Sequence, residues 1–177
     1  MQERLTDRRI VVTGAGSGIG AGTTLRLLTE GARVVAVDVD DGGLQATRTA
    51  ARELDIHSGL TTTICDISDE AEVAALYAGV DSDLGGLDAV VNAAGILVPA
   101  HTHEMSLALW NTVIGVNLTG TFLMCRGAIP RLIASPRDGV IVNFSSTSAT
   151  FAHPYMAAYA ASKGAVASMT HTIALEY

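Results

Sequence analysis

The chain carries five short β-type runs, each followed by a stretch with helical spacing. The runs are Arg9–Thr13 (RIVVT), Arg33–Val37 (RVVAV), Thr61–Cys65 (TTTIC), Ala89–Asn92 (AVVN) and Val140–Phe144 (VIVNF). Four of them are apolar on nearly every position, the pattern of strands covered by helices on both faces. Thr61–Cys65 is more polar and predicts a sheet edge. Helical spacing covers Ile19–Glu30, Gly43–Leu54, Glu70–Leu84, Ser106–Ala134 and Tyr155–Tyr177. Ser68 and Asp69 offer an N-cap to the third helix and Gly31 a C-cap to the first, while Pro130 is expected to disturb the end of the fourth. Strand–helix alternation of this kind predicts a doubly wound parallel sheet in three layers, an α/β fold of Rossmann type, as one domain over residues 1–177. The last helical pattern runs to Tyr177, so a five-strand sheet keeps an uncovered edge strand. The chain therefore reads as a C-terminally truncated form that lacks the usual last strands.

Composition narrows the class. Of 177 residues, 49% are hydrophobic and 16% charged, with a net charge of −7. The eleven basic residues are scattered, which argues against nucleic acid as a partner. Cys65 and Cys125 lack CxxC spacing and read as buried thiols of a cytoplasmic protein. The opening MQERLTDRR has no apolar core of a secretion signal. The apolar stretch Leu87–Ala100 is broken by Asp88 and Asn92 and is too short for a membrane span, so no membrane partner is expected.

Candidate chemistry begins where RIVVT meets Gly14-Ala15-Gly16-Ser17-Gly18-Ile19-Gly20. Such a turn lets backbone approach a pyrophosphate, and the helix it opens presents free N–H groups to it. Asp38 ends the second strand, eighteen residues beyond Gly20. A carboxylate there accepts hydrogen bonds from adenosine ribose hydroxyls and repels a 2′-phosphate. No Arg or Lys follows among Val39, Asp40 and Asp41, and Ser17 is not basic, so NAD is favoured over NADP.

A second element is Tyr159-Ala160-Ala161-Ser162-Lys163. A phenol and an ammonium at i and i+4 share one helix face. Bringing a tyrosine from its ordinary pKa of about 10 to near neutrality needs roughly 4 kcal/mol of preference for the phenolate. A neighbouring cation has the right sign to supply it.

Taken in order, these motifs resemble the short-chain dehydrogenase/reductase family over essentially the whole chain. TGAGSGIG (Thr13–Gly20) resembles its cofactor loop, with Gly14, Ser17, Gly18 and Ile19 as contacts. Asp66 in CDIS resembles the residue that meets the adenine ring, with Ile67 beside it. Asn92-Ala93-Ala94-Gly95 resembles the NAG motif, which steadies the sheet and lines the cofactor cleft through Asn92, Ala93 and Gly95. Asn117 in GVNLTGTF resembles the asparagine that bends its helix and binds a relay water. Ser146, thirteen residues before Tyr159, resembles the catalytic serine, and Tyr159 with Lys163 matches YxxxK.

The resemblance implies an NAD-dependent enzyme that interconverts a secondary alcohol and a ketone. In it Ser146 donates to the substrate oxygen, Tyr159 moves the proton, and Lys163 holds the nicotinamide ribose. It also implies a homodimer or homotetramer built on the fourth and last helices. The alternatives are a 3-oxoacyl thioester (acyl-carrier-protein) reductase, whose usual NADPH preference Asp38 opposes, and a catalytically silent nucleotide binder. Family members continue past the catalytic helix, so the substrate is unreadable here and a chain of this length is expected to turn over slowly or not at all.

Overall fold

The computed structural model describes residues 4–177; residues 1–3, within the charged opening segment and the expected domain, lie outside the described residues. Strands β1 (Arg9–Thr13), β2 (Arg33–Asp38), β3 (Leu60–Ile64), β4 (Ala89–Asn92) and β5 (Val140–Asn143) form one sheet of order β3-β2-β1-β4-β5. All four strand pairs are parallel. The alternation within β1 explains the layers. Ile10 and Val12 join a core with Leu28, Val34, Ala36 and Leu44. Val11 points the other way, into a core with Val35, Val37, Leu76, Tyr77, Val90 and Met124. Side chains of period two that are apolar on both faces demand helices on both faces.

Those helices are α1 (Gly18–Thr29), α2 (Asp41–Glu53), α3 (Glu70–Leu84), α4 (Leu107–Ile114), α5 (Thr121–Ala134) and α6 (Ala157–Glu176). The Gly31 cap is a full two-bond stop: the amides of Gly31 and Ala32 donate to the carbonyls of Leu28 and Leu27, with Gly31 at φ 85°. Asp69 caps α3, accepting from the amides of Ala71 and Glu72.

Two expectations are corrected. The single helix over Ser106–Ala134 is two α-helices joined by a π-helical turn at Gly115–Gly120. Pro130 lies inside α5, which ends at Ala134 as the spacing predicts. The last helix starts at Ala157 rather than Tyr155, which sits at φ 67° and cannot join a right-handed helix.

β3 lies at one edge of the sheet, as its polar pattern predicts, and β5 at the other, with Val140 and Val142 exposed. Leu107–Ala134 has the length and composition to cross a bilayer. Here it packs on β4 and α3 and buries Val113, Asn117, Leu123, Met124 and Cys125.

Candidate active site

The chain leaves β1 toward β2 and β3 on one side, then returns to place β4 and β5 on the other. Ligands bind at such a reversal, beyond the carboxyl ends of the strands. A cleft of about 420 Å3 lies there. Gly14, Ser17, Gly18 and Ile19 line it from the first turn, Asp38 from the end of β2, Asp66 and Ile67 from the segment after β3, and Ala93 and Gly95 from the segment after β4.

Crowding explains the glycines. Gly14 has φ 67°, and a Cβ there would stand 2.8 Å from the Ala94 main chain. A Cβ on Gly20 would stand 2.0 Å from the Gly14 carbonyl oxygen. Any larger residue pushes the turn open. Thr13 holds the two neighbouring turns together, its Oγ1 accepting from the Ala94 amide at 3.1 Å.

Asp38 is held by main-chain donors. Its two carboxylate oxygens accept from the Gly16 amide at 2.8 Å and the Asp40 amide at 3.0 Å. Each oxygen keeps a lone pair for a ligand hydroxyl. Among the described residues, no basic side chain lines the cleft. Cys65 lines it too, and burial pushes its thiol up to about 11, so it stays protonated.

Asn92 is placed differently from the other predicted cofactor residues. It is buried behind the cleft, where its amide donates to Asn143 Oδ1 at 2.8 Å and to Cys125 Sγ at 3.5 Å. It steadies the β4–β5 pair, and the cleft is lined from Ala93 onward.

The predicted catalytic side chains lie on α6, after β5 and in the turn between α4 and α5. Lys163 is buried and donates from Nζ to the Phe144 carbonyl at 2.8 Å, with Nζ 5.8 Å from the centroid of the Tyr159 ring. Burial lowers its pKa from the usual lysine value. The two adjacent serines divide their work. Ser145 donates to the Lys163 carbonyl at 3.0 Å and pins α6 to the end of β5. Ser146 Oγ accepts from the Ser148 amide at 3.2 Å and the Ser148 hydroxyl at 3.0 Å, which leaves its own proton free to donate.

The family described as short chain dehydrogenase matches residues 8–177. The chain belongs to the short chain dehydrogenase family. D-threitol dehydrogenase of Mycolicibacterium smegmatis is 37% identical over 175 residues, which is 98% of this chain and 66% of that protein. A crystal structure of levodione reductase superposes with a TM-score of 0.94 at 34% identity, covering 98% of this chain and 67% of that one. A short chain dehydrogenase/reductase of Burkholderia phymatum, solved in complex with NAD, gives 0.93 at 30% identity, covering 98% of this chain and 61% of that one. The chain thus spans about two thirds of the length of the first two of these proteins and less of the third.

Asn117 lies, fully buried, inside the π turn. Its Oδ1 accepts from the Ile96 amide at 2.8 Å, and its Nδ2 donates to the Ile96 carbonyl at 2.9 Å and to Ser162 Oγ at 3.1 Å. Both side-chain protons are thereby used. The Thr121 amide turns to the Leu118 carbonyl, and the Asn117 carbonyl takes the Thr121 hydroxyl at 2.8 Å. Asn117 Oδ1 and Lys163 Nζ stand 3.2 and 3.5 Å from the position a Cβ would take on Gly95, so the two groups converge there.

Ser162 is a residue that motif reading missed. It is fully buried and links Asn117 to the Tyr159 carbonyl, to which it donates at 2.7 Å. The available signal was its spacing, three residues after Tyr159 and one before Lys163, on the buried side of an alanine-rich helix.

Proposed function

We propose that residues 1–177 form the nucleotide-binding and catalytic domain of an NAD-dependent oxidoreductase that interconverts a secondary alcohol and a ketone in the cytoplasm. No nucleic acid or membrane takes part, and the chain works as a homodimer or homotetramer. The D-threitol dehydrogenase and levodione reductase relatives support the alcohol–ketone chemistry. The observation that carries the proposal is the convergence of Tyr159, Lys163 and Asn117 beside a glycine-walled cleft that holds Asp38.

The residues present fit a nicotinamide dinucleotide. The Gly14–Gly20 turn leaves backbone where a side chain would block a pyrophosphate, and Gly18 opens α1 at the cleft. Asp38 accepts from ribose hydroxyls, and its charge with no nearby cation disfavours a 2′-phosphate. Asp66 and Ile67 meet the base, and Ala93 and Gly95 border the nicotinamide end. When bound, that group supplies the two-electron hydride chemistry.

The chain supplies position and protons. Ser146 donates to the substrate oxygen. Tyr159 gives or takes the proton on that oxygen. Lys163, fixed by the Phe144 carbonyl, holds the ribose and biases Tyr159 toward the phenolate. Both side-chain protons of Asn117 are taken by Ile96 and Ser162, and its main-chain carbonyl, which keeps a lone pair beside the Thr121 hydroxyl, holds a relay water.

Two measurements test the reading. NADH and NADPH are titrated against the chain, with NADH expected to bind more tightly. NADH formation with a panel of secondary alcohols is then compared between wild type and Tyr159→Phe. Slow wild-type turnover is expected, reduced about 10²- to 10⁴-fold by the substitution with NADH affinity unchanged. Equal rates in the two proteins would remove Tyr159 as the acid–base group. Binding with no turnover in either would leave a silent nucleotide binder.

A further inference from the structure

We propose that Ser68 and Glu72 are positioning residues that set base selectivity in the cleft, favouring adenine over hypoxanthine; the proposal rests on the dinucleotide reading above. After β3 the chain passes through Asp66 and Ile67, both of which line the cleft, before α3 begins. Asp66 Oδ1 takes two donors from Ser68, the main-chain amide at 2.8 Å and the hydroxyl at 2.7 Å. The carboxylate is thereby fixed, and Oδ2 is its remaining acceptor. On the other side, the Asp66 amide donates to Glu72 Oε2 at 2.7 Å, from the first turn of α3.

The next amide is different. Ile67 is 5% exposed, and its N–H has no hydrogen-bond partner among the described residues. A main-chain donor that buried needs a partner. The segment therefore offers one acceptor-only carboxylate and one unpaired donor on adjacent residues.

Adenine presents a complementary edge, an amino donor beside a ring-nitrogen acceptor. Hypoxanthine reverses both, with a carbonyl where the amino group was and an N–H at the ring nitrogen. An ionised carboxylate cannot donate to that carbonyl. With the Ile67 amide opposite the ring nitrogen, Glu72 matters because it occupies the other amide of the pair, that of Asp66, which could otherwise donate to a carbonyl standing where the amino group was. Ser68 matters because a carboxylate free to rotate loses its preference for one edge.

The test compares NADH with its hypoxanthine analogue, reduced nicotinamide hypoxanthine dinucleotide, by fluorescence titration of the 177-residue chain. Wild type is expected to prefer NADH by about tenfold or more. Ser68→Ala and Glu72→Ala are each expected to cut that preference to about threefold or less, Ser68→Ala by weakening NADH and Glu72→Ala by tightening the analogue. Ser68→Thr and Glu72→Gln keep a donor and an acceptor in place and should restore the preference, a rescue that a merely structural role does not predict. Thermal midpoints are recorded for all four variants. The proposal is overturned if wild type binds both dinucleotides equally, or if both alanine variants keep the wild-type ratio. Failure of wild type to bind either dinucleotide would overturn the dinucleotide reading itself.

Discussion

The two ends of the same sheet are built on opposite principles. At the amino ends of β1 and β4, Arg9 and Asp88 bind each other through both side chains and main chain. The Arg9 amide, Nε and Nη2 all donate to the Asp88 carboxylate, at 3.0, 3.0 and 2.7 Å. Ser135 donates to it at 2.6 Å, and Arg137 reaches it at 3.5 Å. The Asp88 main chain joins in, its amide donating to Arg9 and its carbonyl accepting from Val140. At the carboxyl ends of the same strands, side chains are missing where glycines stand, and donors and acceptors are left over. One end is saturated and ties three strands together. The other is held open by crowding and by main-chain bonds to Asp38. Stability and ligand binding are thus assigned to different ends of the same residues' strands.

The separation is sharpest under Asp88→Ala. Removing one partner strands Arg9 and opens the β1–β4–β5 join, an expected loss of about 3–5 kcal/mol in urea unfolding. NADH affinity, read on the folded fraction, should stay unchanged. A large change in affinity with little loss of stability would reverse the division.

A pH titration probes the same clamp. The hydrogen bonds from Arg9 hold the Asp88 carboxyl well below the ordinary carboxylate range, against an opposing push from burial. A carboxyl lowered in the folded state stabilises the fold above its unfolded value of about 4, and that contribution is lost as pH falls below it. Unfolding midpoints should therefore drop between pH 5 and 2 by the equivalent of about 2 kcal/mol or more in wild type. In Asp88→Asn that part of the acid dependence should vanish.

At the open end the effects are smaller and concern ligands. Asp38→Asn keeps an acceptor for the Gly16 amide and removes the charge. NADH binding should weaken about tenfold relative to NADPH, with the melting temperature unchanged. An unaltered NADH-to-NADPH ratio would show that the carboxylate does not select between them.

What was legible followed from local pattern. β1, β4 and α3 begin and end where their apolar runs and caps place them, because both signals are contiguous in the chain. The cleft residues Gly14, Ser17, Gly18 and Ile19, with Asp38, Asp66 and Gly95, were readable because each ends or follows a strand on the side where ligands collect. Features set by distant partners were not readable. Tyr155 leaves the helix because its carbonyl accepts from the Ala100 amide, across two loops. Ser162 looks like one more small residue until Asn117 is found against it. Asn92 sits in a motif beside the cleft, but its amide is drawn toward Asn143 and Cys125. The break in the long helix left no trace in its apolar spacing, although Asn117 marks the place.

That break has a consequence for how the protein tolerates change. A π turn holds one residue more than an α-helix would fit into the same length. Deleting a single residue between Gly115 and Gly120 would let the two helices fuse into one continuous α-helix. Because the turn already absorbs the surplus residue, α5 would keep its phase, and Leu123, Met124, Cys125, Ala128 and Leu132 would stay against the sheet. The loss would be local. The Asn117 carbonyl would regain a helical amide as partner, and the Asn117 side chain would turn away from Ile96 and Ser162. The surplus residue is thus spent on the cleft rather than on the fold, and shortening this stretch by one amino acid should leave folding intact while undoing the Asn117 arrangement.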